Sequence, residues 1–195
     1  MARSKNTAGA ASTLRIIGGQ WRSRKLQFAP APGLRPTSDR IRETLFNWLA
    51  PTVAGAHCAD LFTGSGALGL EALSRGAAHC DFVDTSKLAL EHVSQHLSQL
   101  DATALARCHR QMATDFVAST TAELDIVFID PPFATDLVNP VVQALSLADC
   151  LAPEAWVYIE MPRNRPPPNC PDHWLLHRDK AAGDVAYRLF QVTKR

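Results

Sequence analysis

The sequence predicts an α/β fold with a mostly parallel, seven-stranded sheet, and three observations lead to this prediction. From residue 57 onward, short apolar segments alternate with amphipathic ones, as expected for repeated strand–helix units with helices on both faces of a sheet. A glycine-rich loop joins the first apolar segment to the first helix, which is typical of such folds. The last two apolar segments have no helix between them, so we expect an antiparallel strand at one edge.

A short N-terminal section precedes these repeated units and has a different pattern. Residues 14–17 and 24–28 lie on either side of a glycine pair and predict a small β-hairpin. After a proline-rich loop, Thr37 or Ser38 can cap a helix that ends before Pro51. We therefore expect a disordered tail at residues 1–13, a basic hairpin and helix at 14–51, and the main domain at 52–195.

The elements of the main domain follow from the spacing of its apolar residues. Each expected strand is a short apolar run, and each expected helix carries apolar residues three or four positions apart. The strands are predicted at residues 57–62, 79–84, 105–109, 124–130, 155–161, 173–178 and 185–192, and the helices at 67–75, 87–100 and 137–148.

Length and composition exclude several classes of protein. The chain has 195 residues, of which 46% are hydrophobic, yet no run approaches the ~18 apolar residues of a membrane span. Its basic N-terminus lacks the apolar segment of a secretory signal. The five cysteines are far apart, and the histidine pair His92 and His96 has no acidic or cysteine partner, so we expect that pair on a helix surface. The sequence thus predicts a cytoplasmic, reduced protein without a metal or membrane partner.

The charge is unevenly distributed along the chain. Residues 1–42 carry nine Lys and Arg and one acidic residue, a net charge of +8, whereas the remainder carries −7. Because Trp21 and Phe28 interleave with the basic residues, this arm is predicted to contact a nucleic acid. The candidate contacts are Arg15, Arg22, Arg24, Lys25, Arg35 and Arg40.

The glycine loop predicts a nucleotide-like cofactor and a Rossmann-like fold. Gly64, Gly66 and Gly69 match the pattern GxGxxG, and Asp84 follows Gly64 by 20 residues at the end of the second expected strand. Glycines let the backbone approach a ligand, and a carboxylate at Asp84 can accept both hydroxyls of a ribose. The pattern fits either a dinucleotide or S-adenosylmethionine.

The segment Asp130-Pro131-Pro132-Phe133 directly follows a strongly apolar strand. The carboxyl ends of parallel strands meet at one crevice, so this loop is expected beside the glycine loop. An amino group on a nucleobase is a poor nucleophile, and an Asp carboxylate with a proline carbonyl can accept its N–H groups and orient it. Phe133 is suited to stack on the base. The loop therefore predicts methylation of a base amino group.

The order of these motifs resembles class I S-adenosylmethionine-dependent methyltransferases that act on amino groups. More narrowly, the chain is similar from about residue 14 to residue 192 to the bacterial 16S rRNA guanine-N2 methyltransferases that modify guanine 966. The segments that carry this resemblance are RIIGGQWRSRKL, GLRPTSDRIRETLFNWL, DLFTGSGALGLEALSRGA, FIDPPF and HRDKAAGDVAYRLFQV.

The resemblance implies S-adenosylmethionine as cofactor, direct in-line methyl transfer to guanine N2, and 16S rRNA in small-subunit particles as substrate. We expect the enzyme to be a monomer. The resemblance also implies that residues 52–195 are the methyltransferase domain, that Gly64 and its neighbours hold the methionine part, and that Asp115 holds the adenine edge. It favours RNA or cofactor-lid contacts for Thr37 and Arg42. The implied catalytic residues are Asp130, Pro131 and Phe133, and the implied cofactor residues are Asp60, Phe62, Gly64, Ser65, Gly66, Asp84, Thr85, Asp115 and Asp130.

Other functions remain open on the residues alone. An adenine-N6 methyltransferase would use the same loop chemistry on a different base. An NAD-dependent oxidoreductase rests on GxGxxG alone and predicts neither the amino-group loop nor the basic arm. A nucleic-acid-binding module with a degenerate cofactor site is disfavoured by the intact Gly64, Asp84 and Asp130. Asp60 can either support the glycine loop or contact the cofactor.

Overall fold

A hairpin and a helix precede the main sheet, in a computed structural model that describes residues 12–28 and 38–193. Strand β1 (Ser12–Arg15) pairs antiparallel with β2 (Lys25–Phe28), and helix α1 (Asp39–Trp48) follows, capped by the Ser38 side chain. The predicted hairpin is confirmed, with β1 beginning two residues before the expected start. The rest of the predicted tail, residues 1–11, lies outside the described residues.

The main sheet and its helices occupy the remaining described residues. The strands are β3 (His57–Asp60), β4 (His79–Asp84), β5 (Ala106–Arg110), β6 (Leu124–Ile129), β7 (Leu151–Pro162), β8 (Trp174–Ala182) and β9 (Val185–Val192). The helices are α2 (Ala67–Ser74), α3 (Lys87–Gln99), α4 (Ala113–Ser119) and α5 (Val138–Leu147), with a 3-10 turn at Thr103–Leu105.

The seven strands lie in the order β5-β4-β3-β6-β7-β9-β8, and the first five are parallel. Strand β9 runs antiparallel to both β7 and β8, which confirms the predicted antiparallel edge. The chain moves outward from β3 to β5 and then returns to place β6 on the other side of β3. Ligand crevices form at the carboxyl ends of the strands where the order reverses in this way.

Helices cover both faces of the sheet. Buried residues of α1, α2 and α3 share one apolar cluster with the hairpin, and those of α4 and α5 share the other. Leu14 and Leu26 of the hairpin belong to the same cluster as Phe128 of β6, so the N-terminal elements complete the core of the main sheet. Within the described part of the chain, the helices are too short or too polar to span a bilayer.

Helix α2 also anchors the hairpin through a buried carboxylate. Glu71 is fully buried and accepts hydrogen bonds from the backbone N–H groups of Ile17 and Gly18, each at 2.8 Å. It also accepts one from Nε of Arg75 at 2.7 Å. Burying a carboxylate is costly unless donors surround it, so these bonds tie the hairpin to α2 in one orientation.

Helix α4 is absent from the sequence-based expectation. Its seven residues are too few to show clear helical periodicity, and its N-cap residue Met112 supplies no side-chain hydrogen bond. The helix is held instead by burial of Phe116 and Val117 against the apolar cluster on that face of the sheet. Tertiary packing therefore outweighs weak local propensity here.

Candidate active site

Loops at the carboxyl ends of β3, β4 and β6 surround a cavity of about 790 Å³. The cavity extends from the glycine loop past the Asp130–Phe133 loop to the hairpin and helix α1, which contribute Phe28 and Ile41. The structure thus brings the two predicted motifs to one site. The predicted residues along its wall are Asp60, Phe62, Gly64, Ser65, Asp84, Thr85, Asp130, Pro131 and Phe133.

The glycine loop is shaped by left-handed backbone and by the Asp84 carboxylate. Gly64 and Gly66 have φ of 51° and 79°, a region that favours glycine, and Gly66 is the N-cap of α2. Asp84 accepts a hydrogen bond from the Gly64 N–H at 2.9 Å and another from the Ser86 N–H at 2.8 Å. The end of β4 is therefore tied directly to the loop that follows β3.

Asp60 lies beneath the same loop. Its side chain is buried and accepts a hydrogen bond from the Gly69 N–H at 3.1 Å. Burial raises the pKa of Asp60 to about 7, with the Gly69 bond opposing this effect and the nearby carboxylates of Asp130 and Asp84 adding to it. The sequence left two roles open for Asp60, support of the glycine loop and contact with the cofactor. The hydrogen bond to Gly69 shows the supporting role, and Asp60 also borders the cavity.

The cavity fits S-adenosylmethionine by size and by the chemistry of its wall. Asp84 presents an acceptor for ribose hydroxyls, Gly64 and Ser65 bring backbone close to the site, and Leu88 and Met112 offer apolar surface for a ring. Asp115, the predicted adenine contact, is exposed in the first turn of α4 and does not line the cavity. Residues 111–114, immediately before it, line the cavity instead.

The Asp130–Phe133 loop is held by an arginine from a distant segment. Arg165 donates hydrogen bonds to the carbonyl oxygens of Thr135 at 2.8 Å and Phe133 at 3.2 Å. The hydroxyl and N–H of Thr135 both donate to the Pro132 carbonyl, at 2.6 Å and 2.9 Å. Sequence reasoning missed Arg165 because it lies some 30 residues later, in a proline-rich loop without a motif.

Glu160 is a second functional candidate that the sequence analysis missed. It is only 2% exposed, borders the cavity, and accepts a hydrogen bond from the Tyr158 hydroxyl at 2.8 Å. Burial, with the Glu160 carboxylate beside it, raises the pKa of Tyr158 well above its usual value. Ile159 pairs with Ile129 across β7 and β6, so Glu160 and Asp130 are the next residues of adjacent parallel strands. The two residues are therefore neighbours across the sheet, and both border the cavity.

Two hairpin arginines among the predicted nucleic-acid contacts already have protein partners. Arg15 forms an ion pair with Asp39 at 2.9 Å, and Arg24 donates to the Gln99 carbonyl at 3.0 Å. Both remain exposed, as do Arg22, Lys25 and Arg40, whereas Arg35 and Thr37 lie outside the described residues.

Arg42 and His96 differ from the expectations made for them. Arg42 is 1% exposed and donates to the Arg15 carbonyl at 2.9 Å and to Asp39 at 2.6 Å, so it is a structural residue and not a surface contact. His96 is also 1% exposed, with its Nε2 atom 2.9 Å from the Gln27 carbonyl oxygen, so it does not lie on a helix surface. Both residues were expected at the surface, but the hairpin covers them in the folded structure.

Comparisons with known proteins agree with this architecture. The sequence model of the family described as conserved hypothetical protein 95 matches residues 14–191. The chain is 48% identical over 178 residues to the ribosomal RNA small subunit methyltransferase D of Escherichia coli K12, covering 91% of this chain and 89% of the relative. It is 39% identical to the protein of the same name from Haemophilus influenzae, covering 95% and 97%. A solved Escherichia coli structure described as a candidate methyltransferase, yhhF, has a TM-score of 0.86 at 44% identity and covers 94% of this chain and all of that one.

Proposed function

Since the chain belongs to the family described as conserved hypothetical protein 95, we propose that it transfers a methyl group from S-adenosylmethionine to N2 of a guanine in 16S rRNA. The name of its relatives, ribosomal RNA small subunit methyltransferase D, supports an RNA of the small ribosomal subunit as substrate. Guanine 966 is the expected position. We place the reaction in the cytoplasm, on small-subunit particles, with a monomeric enzyme.

The single observation that carries the choice of base is that Asp130, directly after β6, and Glu160, within the adjacent strand β7, follow a pair matched in register and both line the cavity. The Watson–Crick edge of guanine presents N–H donors at N1 and N2, which suit two neighbouring carboxylates. Adenine presents an amino group beside the N1 lone pair, and that lone pair would repel a second carboxylate. The pair of carboxylates therefore favours guanine-N2 over adenine-N6 methylation.

The chemistry assigned to the Asp130–Phe133 loop is orientation of the amino group. The Asp130 carboxylate accepts one N–H of guanine N2, which localises the nitrogen lone pair and aims it along the cavity. The Pro132 carbonyl already accepts two hydrogen bonds from Thr135, which favours the Pro131 carbonyl as the second acceptor. Phe133 is suited to stack on the base. When bound, S-adenosylmethionine supplies an electrophilic methyl group on a sulfonium.

The cofactor end of the cavity is assigned to the glycine loop and the end of β4. Asp84, at the carboxyl end of β4, is suited to accept the ribose hydroxyls, and Thr85 follows it along the wall. Residues 111–114 are better placed than Asp115 to border the adenine, because they line the cavity. Gly64 and its neighbours offer backbone N–H groups to the methionine part.

The basic hairpin and helix of residues 14–51 are assigned to RNA capture, with residues 52–195 as the methyltransferase domain. Phe28 and Ile41 line the cavity, so RNA held on this surface lies beside the reacting base.

Replacing Arg22, Arg24 and Lys25 together by Gln should reduce the log–log salt slope of RNA affinity by about 0.7 for each phosphate that the variant no longer neutralises. Cofactor affinity should be unchanged, and replacing the exposed Arg107 and Arg178 provides the control. An unaltered slope would assign the hairpin to folding alone.

Transfer of labelled methyl from S-adenosylmethionine to small-subunit RNA, followed by nucleoside analysis, tests the activity directly. The expected product is N2-methylguanosine, and N6-methyladenosine would overturn the assignment of the base. Tight binding of NAD without binding of S-adenosylmethionine would overturn the reaction class.

A substrate RNA carrying 2-aminopurine at the target position tests the role of Glu160, because this base keeps the amino group but lacks N1–H. The wild-type enzyme should lose roughly tenfold or more in kcat/KM on this substitution. The Glu160→Gln variant should show a smaller difference between the two RNAs. Glu154→Gln, at an exposed position of the same strand, should behave as the wild type does. Equal discrimination by Glu160→Gln would contradict the role.

A further inference from the structure

Three histidines surround one aspartate near the amino ends of β3 and β4, away from the cavity. His57 and His79 are the first residues of β3 and β4 and are paired in register, and Asp81 follows in β4. His109 lies on the neighbouring strand β5. The cavity lies at the carboxyl ends of these strands, so this His–Asp cluster (His57, His79, Asp81 and His109) takes no part in the proposed reaction.

The donor atoms of the cluster converge. Nε2 of His57 is 2.8 Å from Oδ2 of Asp81, and Nε2 of His79 is 3.6 Å from Oδ1 of the same carboxylate. One ligand atom from each of His57, His79 and Asp81 lies within 4.8 Å of the other two. Neighbouring ligand atoms on a tetrahedral ion with bonds of about 2.0–2.1 Å are about 3.3 Å apart. Small side-chain rotations would therefore bring all three onto one ion.

We propose that His57, His79 and Asp81 form a binding site for one divalent transition-metal ion such as Zn²⁺. Two imidazoles and a carboxylate are a donor set that zinc accepts, with water completing the coordination. The imidazoles are 27% and 32% exposed, whereas the Asp81 side chain is 7% exposed, so the ion has a route from solvent to a largely buried carboxylate.

Surrounding groups hold the donors in position. Nε2 of His109 lies 2.6 Å from Oδ1 of Asp81, and the Asp125 carboxylate accepts the His57 backbone N–H at 2.8 Å. Such contacts behind the ligands orient them for a metal. Asp125 also adds negative charge near the cluster, whereas Arg107, opposite Asp81 on β5, opposes a cation.

Titration of the untagged full chain with Zn²⁺ by calorimetry, and with Co²⁺ by visible absorption, tests the site. One equivalent should bind, and Co²⁺ should develop the intense bands of four-coordinate nitrogen and oxygen ligation. His79→Ala should weaken binding at least tenfold, whereas His177→Ala, at an exposed position outside the cluster, should bind as the wild type does.

Two results of these titrations would overturn the proposed metal site. Absence of a saturable Co²⁺ spectrum in the wild-type chain overturns the proposal without reference to any variant. Equal affinity of the wild type and His79→Ala also overturns it and leaves the cluster as a hydrogen-bonded set. If His79→Ala does not fold, His57→Gln serves as the ligand variant. Because metal binding is the readout, the result is independent of methyltransferase activity.

Discussion

The glycine loop and the Asp130–Phe133 loop lie at the same end of the sheet but are held in place differently. The glycine loop is held by carboxylates at two neighbouring strand ends: Asp84 accepts the Gly64 N–H, and Asp60 accepts the Gly69 N–H. The second loop is stiffened by its two prolines and held from outside by Arg165. The glycine loop, which forms the cofactor side of the site, is therefore organised by residues close in sequence. The Asp130–Phe133 loop, which forms the base side, depends on a segment that follows much later.

The largest expected effect is a loss of turnover when the base side of the site is altered and the cofactor side is left intact. Asp130→Ala should lower turnover at least ~100-fold, because it removes a positioned acceptor for the reacting amino group. Cofactor affinity, measured by calorimetry, should stay close to that of the wild type. The exposed Asp149→Ala provides a control for loss of an acidic side chain. Nearly normal methylation by Asp130→Ala would show that the loop is structural.

Asp84→Ala should break the cofactor side instead. Loss of a carboxylate that binds ribose and also holds the Gly64 N–H should weaken S-adenosylmethionine binding by roughly 1.5–3 kcal/mol, or about 10- to 150-fold. Turnover at saturating cofactor should fall much less than in Asp130→Ala. If the cofactor bound to Asp84→Ala as tightly as to the wild type, the ribose role would be untenable.

Arg165→Ala should loosen the base side without removing a reacting group. Misplacement of the loop should lower kcat by about tenfold and leave cofactor affinity unchanged, since small displacements from the productive geometry are costly. Arg165→Lys should restore little, because Lys lacks the planar fork that reaches two carbonyl oxygens. Steady-state kinetics on both variants measure this effect, and thermal unfolding of the same proteins separates it from a general loss of stability. A change confined to KM would contradict the positioning role.

A further prediction concerns stability and the support beneath the glycine loop. The pKa of Asp60 is about 7 in the folded state and near 3.8 in the unfolded chain, so the folded state binds the proton more tightly. Its contribution to stability is complete below about pH 4 and is lost as pH rises towards 7, with a slope of at most about 1.4 kcal/mol per pH unit. Asp60→Asn should flatten this dependence in urea unfolding between pH 4 and 8. If the stability of the wild type and of Asp60→Asn changed equally with pH, the raised pKa of Asp60 would be contradicted.

Local pattern was sufficient for most of the architecture and for the two loops of the site. Apolar alternation and helical spacing depend on neighbouring residues, so the seven strands of the main sheet and the principal helices follow from the sequence. Gly64, Asp84 and Asp130 could be placed at one crevice because the carboxyl ends of parallel strands in such a sheet meet there.

What only the tertiary structure decided depends on segments distant in sequence. Glu160 resembles any strand residue until its register with Asp130 places it at the cavity, and Arg165 has no motif until it reaches the loop carbonyls. Arg42 and His96 look like surface residues until the hairpin covers them. Burial and hydrogen-bond partners are set by which segments pack together. The spacing of residues along the chain does not contain that information, because it records only which neighbours share a face.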